Sequence, residues 1–273
     1  MRLPFIVLSF ACLSVAGIAV SMPLAPTEPI LAAAVKSSTR TPANIARDQY
    51  RHPAETLAFF DVKPTDSVVE IWPGGGWYTE ILAPYLAAGG KLTIVSPPGR
   101  PSVGIGAKLD KDVATYGKVA RANFPSALGG TGVAPGTADK VLTFRNVHNW
   151  RMGYLRPDKM DYSAAAFREI YAMLKPGGVL GIEDHRLPEN ADNERERTSG
   201  YIKVSTIRKL AEDAGFQFAG ASEVNANPKD THNWPEGVWT LPPSLQLGDK
   251  DREKYVSIGE SDRMTLKFVK PAK

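Results

Sequence analysis

Two spacings of apolar residues alternate along this chain, one of about 3.6 residues and one of short buried runs, and the switches between them outline the elements. From about residue 44 onward helix-like and strand-like segments take turns. Residues 53–60 predict a short helix, with Pro53 at its first position and Glu55 in its first turn. SVVEI (67–71) reads as a buried strand. A helix is expected over 77–88, kinked or ended early by Pro84 and stopped by Gly89 and Gly90. KLTIV (91–95) is the next strand, and Ile105, Leu109, Val113 and Tyr116 fall at helical spacing over 105–116. KVARA (118–122) is a weak strand, 126–138 a loop, and KVLTF (140–144) a strand. Residues 162–174 predict a helix that turns Phe167, Ile170, Tyr171 and Leu174 inward. After a turn at Pro176 and Gly177 comes VLGIE, a strand. Ser205 is expected to cap a helix running to Ala214 and stopped by Gly215, followed by strands over 216–224 and 263–269. Strands separated by helices of this length imply right-handed crossovers. The expected fold class is α/β, doubly wound, with a mostly parallel seven-stranded sheet and an antiparallel last strand.

Composition fits one soluble globular domain: 273 residues, 43% hydrophobic and 23% charged. The net charge is +4, and the 33 Lys and Arg are spread without a block or stripe. A mildly basic solvated surface follows, and no nucleic-acid partner is expected. The first residues stand apart. Arg2 precedes a long uncharged apolar run, and Ala19 and Ser21 offer a small-residue cleavage point. Residues 1–21 are therefore expected to be a cleaved secretory signal, placing the mature chain in the periplasm or outside the cell, with no stable membrane insertion. Left uncleaved, the run is nearly long enough to act as an anchor. Cys12, the single cysteine, lies within it. The mature chain then holds no disulfide and no thiolate metal site. Residues 22–43, rich in Pro, Ala, Ser and Thr, read as a flexible lead-in to a domain over 44–273.

The densest signal is SVVEIWPGGGWYTEILA (67–83). An apolar strand ends at Glu70, and Gly74, Gly75 and Gly76 lead into a helix. Glycines at such a junction free backbone N–H groups at the helix start and let a ligand approach the main chain. A small-molecule cofactor is the first expectation; the bland alternative is a tight turn with no ligand. Dinucleotide-binding enzymes want G-x-G-x-x-G. Here the acid comes first, with glycines four and six residues later.

That spacing resembles the E/D-x-G-x-G-x-G motif of class I S-adenosylmethionine-dependent methyltransferases, with Trp72 at the first glycine. Ala138-Asp139-Lys140-Val141-Leu142 resembles the opening of that family's fourth strand, and Val147-His148 falls where it often carries Leu-His. Leu174-Lys175-Pro176-Gly177-Gly178 and Ala214-Gly215-Phe216 resemble its turns before the fifth and sixth strands. These pieces fall in order along residues 70–216. PGGGWYTEIL and IGESDRMTLKFVKP are similar to stretches of exported bacterial methyltransferases. The resemblance implies a Rossmann-like fold, S-adenosylmethionine as cofactor, and methyl transfer to a small acceptor. It implies Glu70, Trp72, Gly74, Gly75, Gly76, Ser96 and Asn146 as cofactor-binding residues. Ser96 stands where the family usually has a ribose-binding acid, since the second strand ends Val95-Ser96-Pro97-Pro98.

In open α/β sheets ligands sit at the carboxyl ends of the strands. Those ends carry Glu70, Trp72, Ser96, Arg145, Asn146, His148, Glu183, Asp184 and His185. Methyl transfer needs an in-line nucleophile, a dry site and sometimes a base. His148 and His185 are the candidate bases, with Asp184 as orienter. Structural histidines are the alternative for each, and a metal site on these three residues is a further one, though no tight spacing motif supports it. Residues 225–262 are long for a connection and read as a lid or substrate wall, or as an excursion stapled by Trp234 and Trp239. Tyr50-Arg51-His52 is placed to cover the same pocket. A non-catalytic or repurposed binding protein on the same fold is the rival reading, favoured by Trp72, by the missing ribose acid and by export.

Overall fold

In the computed structural model, residues 28–99 and 105–272 are described; the signal-like segment 1–21 lies outside them. The strands are β1 (Ser67–Ile71), β2 (Lys91–Ser96), β3 (Ala120–Asn123), β4 (Ala138–Phe144), β5 (Leu174–Leu187), β6 (Ile202–Lys203), β7 (Gln217–Ser222) and β8 (Arg263–Val269). The helices are α1 (Pro29–Val35), α2 (Pro42–Ile45), α3 (Asp48–Arg51), α4 (Pro53–Phe59), α5 (Thr79–Leu86), α6 (Ile105–Lys111), α7 (Val113–Tyr116), α8 (Val147–Arg151), α9 (Ser163–Met173), α10 (Val204–Asp213) and α11 (Arg252–Ile258). The sheet runs β3-β2-β1-β4-β5-β8-β7, with β6 paired to the end of β5. β1, β2, β3, β4 and β5 are parallel where they pair, and β8 is antiparallel to both β5 and β7. The seven-strand path and its antiparallel last strand follow the expectation; the two-residue β6 makes an eighth strand.

Side-chain alternation explains the two-sided covering. Val69 and Ile71 of β1 join Trp150, Phe167, Ile170 and Ile207 in one core, beneath α8, α9 and α10. Val68 of β1, with Leu142 and Phe144 of β4, joins Leu57, Phe60, Ile81 and Leu82 in the other, beneath α4 and α5. A strand with period two feeds both layers, so neither face is left wet. Gly181 in β5 lies against the second layer, where a Cβ would come within 2.6 Å of the Phe60 ring. Gly181→Val is expected to lower stability by roughly 1–3 kcal/mol through overpacking, read as an earlier urea midpoint.

Local departures have local causes. The segment from Glu28 to residue 43 is folded, not a flexible lead-in: Leu31 is 1% exposed and Tyr85 donates to Glu28 at 2.7 Å. Its composition is rich in Ala, Ser, Thr and Pro, but Leu31 and Ala34 give α1 a buried face. The helix expected over 105–116 breaks at Asp112, whose side chain accepts from the Thr115 N–H at 3.1 Å and starts α7. α5 passes Pro84 and ends at Leu86. The Leu174–Gly178 stretch is not a free turn. It opens β5 with an irregular register against β4, and Gly177, at φ +78°, donates its N–H to Lys270 O. Ser205 does not cap α10; the cap position is Lys203, and the Ser205 hydroxyl donates to Glu189.

Candidate functional site

The strand ends of β1, β4 and β5 open into a cavity of about 380 Å³. Its floor is Glu70, Trp72, Gly74, Gly75, Arg145, Asn146, His148 and His185. Arg47 and Arg51 wall it from the α2–α3 side, and Trp239, Pro242, Pro243, Glu260 and Ser261 from the segment before β8. The 225–262 segment is thus a wall of the cavity, and its tryptophans divide the work. Trp239 lines the space, while Trp234 donates to Asp230 at 2.7 Å. Asp230 also accepts from Tyr201 and from the Asp262 N–H, which ties the segment to β6 and β8.

β1 leads into the glycine turn through a left-handed residue, Trp72 at φ +49°. Arg145, after β4, is also left-handed at φ +60°. Each costs a bulky L-residue on the order of 1–2 kcal/mol, met by the surrounding bonds. Trp72 donates its N–H to Val95 O at 2.8 Å and its indole N–H to Phe124 O at 2.9 Å. The ring therefore spans from β1 toward the end of β3, edge-on to Trp150. Cβ atoms added at Gly74 or Gly75 would meet nothing within 4 Å, so both face open space. One added at Gly76 would strike the Ile105 side chain at 2.1 Å. Gly76 and Ser96, both expected to bind a cofactor, do not line the cavity; Ile105 covers the one, and the other is 8% exposed.

Glu70 accepts from the Thr79 hydroxyl at 2.6 Å. Burial pushes its carboxyl up to about 7, against the opposing pull of Thr79 and Arg145. Asn146 donates to Ile71 O at 2.9 Å and to the Thr143 hydroxyl, so it braces the end of β1 as well as lining the cavity. Asp184 sits behind the cavity, fully buried. One oxygen bonds His148 Nδ1 at 2.6 Å and the other accepts from the His148 backbone N–H. Because a carboxylate only accepts, this bond places a proton on Nδ1, so that in the neutral ring Nε2 is the free acceptor. His185 lies 5.0 Å from His148, ring to ring, and its Nδ1 meets the Ser261 hydroxyl at 2.6 Å. Burial, with His148 and Arg145 adding to it, holds the His185 imidazole well below its usual pKa.

The sequence left one group unmarked. Glu260 binds Arg47 at 2.7 Å, Arg51 at 3.0 Å and Arg263 at 3.0 Å. Arg263 also pairs with Glu183 at 3.0 Å, and Arg145 lies 3.5 Å from the same carboxylate. Arg47, Arg51, Arg145 and Glu183 are far in sequence from Glu260 and Arg263, and the fold brings them together.

Ligand atoms of His148, Asp184 and His185 all lie within 4.8 Å of one another. Asp184 is engaged by three N–H donors there, and the nearby guanidinium groups repel a cation.

No family model and no curated protein matches the chain. Solved structures do. A SAM-dependent methyltransferase from Aquifex aeolicus is 15% identical, with a TM-score of 0.53, covering 82% of this chain and 93% of its own. The 4+2 cyclase SpnF is 15% identical, with a TM-score of 0.58, covering 93% and 99%. Phosphoethanolamine N-methyltransferase 2 from Haemonchus contortus, solved with S-adenosyl-L-methionine, is 16% identical, with a TM-score of 0.52, covering 81% and 53%. The chain has the Rossmann-like fold of class I S-adenosylmethionine-dependent methyltransferases. At these identities the likeness is one of fold, and function rests on the site.

Glu70 and the open main chain at Gly74 and Gly75 suit the amino-acid group of that cofactor. Toward β2 the Trp72 indole donates to Phe124 O, Ile105 packs on Gly76, and the strand ends in Ser96 rather than a carboxylate.

Proposed function

We propose that this chain binds a small molecule in the cavity and acts on it by proton transfer at His148, on a methyltransferase fold whose second strand ends in Ser96 rather than a carboxylate. The observation that carries this reading is the Asp184–His148 pair: Nδ1 tied at 2.6 Å, with the ring lining the cavity. A held tautomer with a bare Nε2 is the arrangement of a general base, and Asp184 is its positioning residue. His185, kept neutral by burial, adds a second proton carrier without adding charge. Trp239 and the paired prolines keep water off one side. Export, expected from residues 1–21, agrees with a chemistry that does not need a cofactor made in the cytoplasm.

Methyl transfer from S-adenosylmethionine to a small acceptor is the second reading. Glu70, Gly74 and Gly75 favour it. Calorimetric titration of the folded protein with S-adenosylmethionine and S-adenosylhomocysteine separates the two. The expected result is no saturable heat with either. Micromolar binding would overturn the proton-transfer reading and make the cavity the acceptor site of a methyltransferase.

A further inference from the structure

The cavity collects more guanidinium than carboxylate. Arg47, Arg51, Arg145 and Arg263 surround Glu183 and Glu260, four cationic groups on two anionic ones. Glu70 is the remaining acid on the floor, and burial pushes its carboxyl up to about 7, which leaves it a weak counterion at neutral pH. Burying an excess of one charge is expensive unless a partner of the other sign is supplied.

The unspent donors point the same way. Arg47 uses Nε on Glu260, and its buried Nη2 has no hydrogen-bond partner. Arg145 has a buried Nη1 that makes no hydrogen bond, its ion pair with Glu183 being as long as 3.5 Å. Arg51 is 3% exposed and gives only Nε to Glu260; its Cζ lies 4.9 Å from the Trp77 ring centre, which fixes the plane of the fork. Burial and the neighbouring Arg145 lower the Arg51 guanidinium to about 9. All three side chains line the same cavity.

We propose that Arg47, Arg51 and Arg145 form a clamp for an oxyanion, a carboxylate or phosphate group carried by the small molecule that the cavity takes. Planar guanidinium forks match such groups with paired N–H donors. The clamp rests on the reading that the cavity is a small-molecule site, but not on what His148 does there. With the anion end held by the arginines, the rest of the ligand lies against the wall where Trp239 meets His148 edge to face, within reach of the base.

The test is thermal unfolding of the full protein with inorganic phosphate and, separately, with succinate, each against sodium chloride at matched ionic strength. A Tm rise of several degrees that saturates with anion concentration is expected from at least one. A rise with phosphate alone names a phosphate group, and one with succinate alone a carboxylate. Arg145→Gln should lower the apparent affinity at least tenfold. If that variant fails to fold, Arg47→Gln, at a more exposed position, should weaken the response in the same direction. His148→Gln should retain the response, so a failure of the proton-transfer reading leaves the clamp standing. A Tm unmoved beyond the chloride control by both anions, or a response unchanged in both arginine variants, would overturn the clamp.

Discussion

Replacing Arg263 by leucine is expected to destabilise the protein by roughly 3–5 kcal/mol. Arg263 is 1% exposed and bonds Glu260 and the backbone carbonyl of Tyr50, while also facing Glu183 at 3.0 Å. Leucine keeps most of the volume but removes one of the two guanidiniums facing Glu183, whose oxygens make no hydrogen bond, and leaves it only Arg145 at 3.5 Å. A buried carboxylate short of counterions is the costly state, not the lost attraction itself. Glu183→Gln in the Arg263→Leu background should therefore recover part of the loss. Urea unfolding of the three proteins measures both effects. A single-variant loss under 1 kcal/mol would show that the cluster does not hold β5, β8 and the N-terminal helices together.

The same cluster sets the acid limit. Burial raises the Glu260 carboxyl, but Arg263, Arg51 and Arg145 outweigh it and bring it from 4.5 down to about 2. Its stabilisation is complete above pH 4.5 and is lost as pH falls from 4.5 toward 2, a difference of about 3 kcal/mol. His185 has the same direction in a higher window. Its folded pKa lies below 6.5, so under pH 6.5 the unfolded chain takes up a proton that the folded chain refuses. Glu70 runs the other way: raised to about 7, its contribution is full below pH 4.5 and lost as pH rises toward 7. Between pH 7 and 4.5 the opposing slopes of Glu70 and His185 partly cancel, and below 4.5 stability drops steeply. Urea midpoints at pH 7, 5 and 3 should show a plateau and then a fall. Glu260→Gln should lower stability at pH 7 and flatten the fall; an equally steep fall in that variant would assign the acid limit elsewhere.

Part of the site was legible because its chemistry is local. Glu70, Gly74 and Gly75 follow one another at a strand–helix junction, and Asn146, His148 and His185 sit directly after or at the ends of strands whose apolar runs are plain. That Ser96 and Gly76 lie off the cavity lining was not legible, because whether a strand end is open depends on what lies across it. Ile105 packs on Gly76 from a separate helix, a contact that period and spacing do not record. Glu260 was missed because the resemblance over IGESDRMTLKFVKP assigns it no role, and its partners Arg47 and Arg51 are more than 200 residues away.

The sequence by itself determined the order of strands and helices, the doubly wound class and the glycine turn, because these follow from periodicity and backbone freedom within a few residues. Tertiary structure decided which half of the turn is open, how many guanidiniums share one cavity, and which His148 nitrogen Asp184 engages. Those depend on burial and on charges brought together from distant segments, and only the packed molecule specifies the desolvation and the distances that fix their energies.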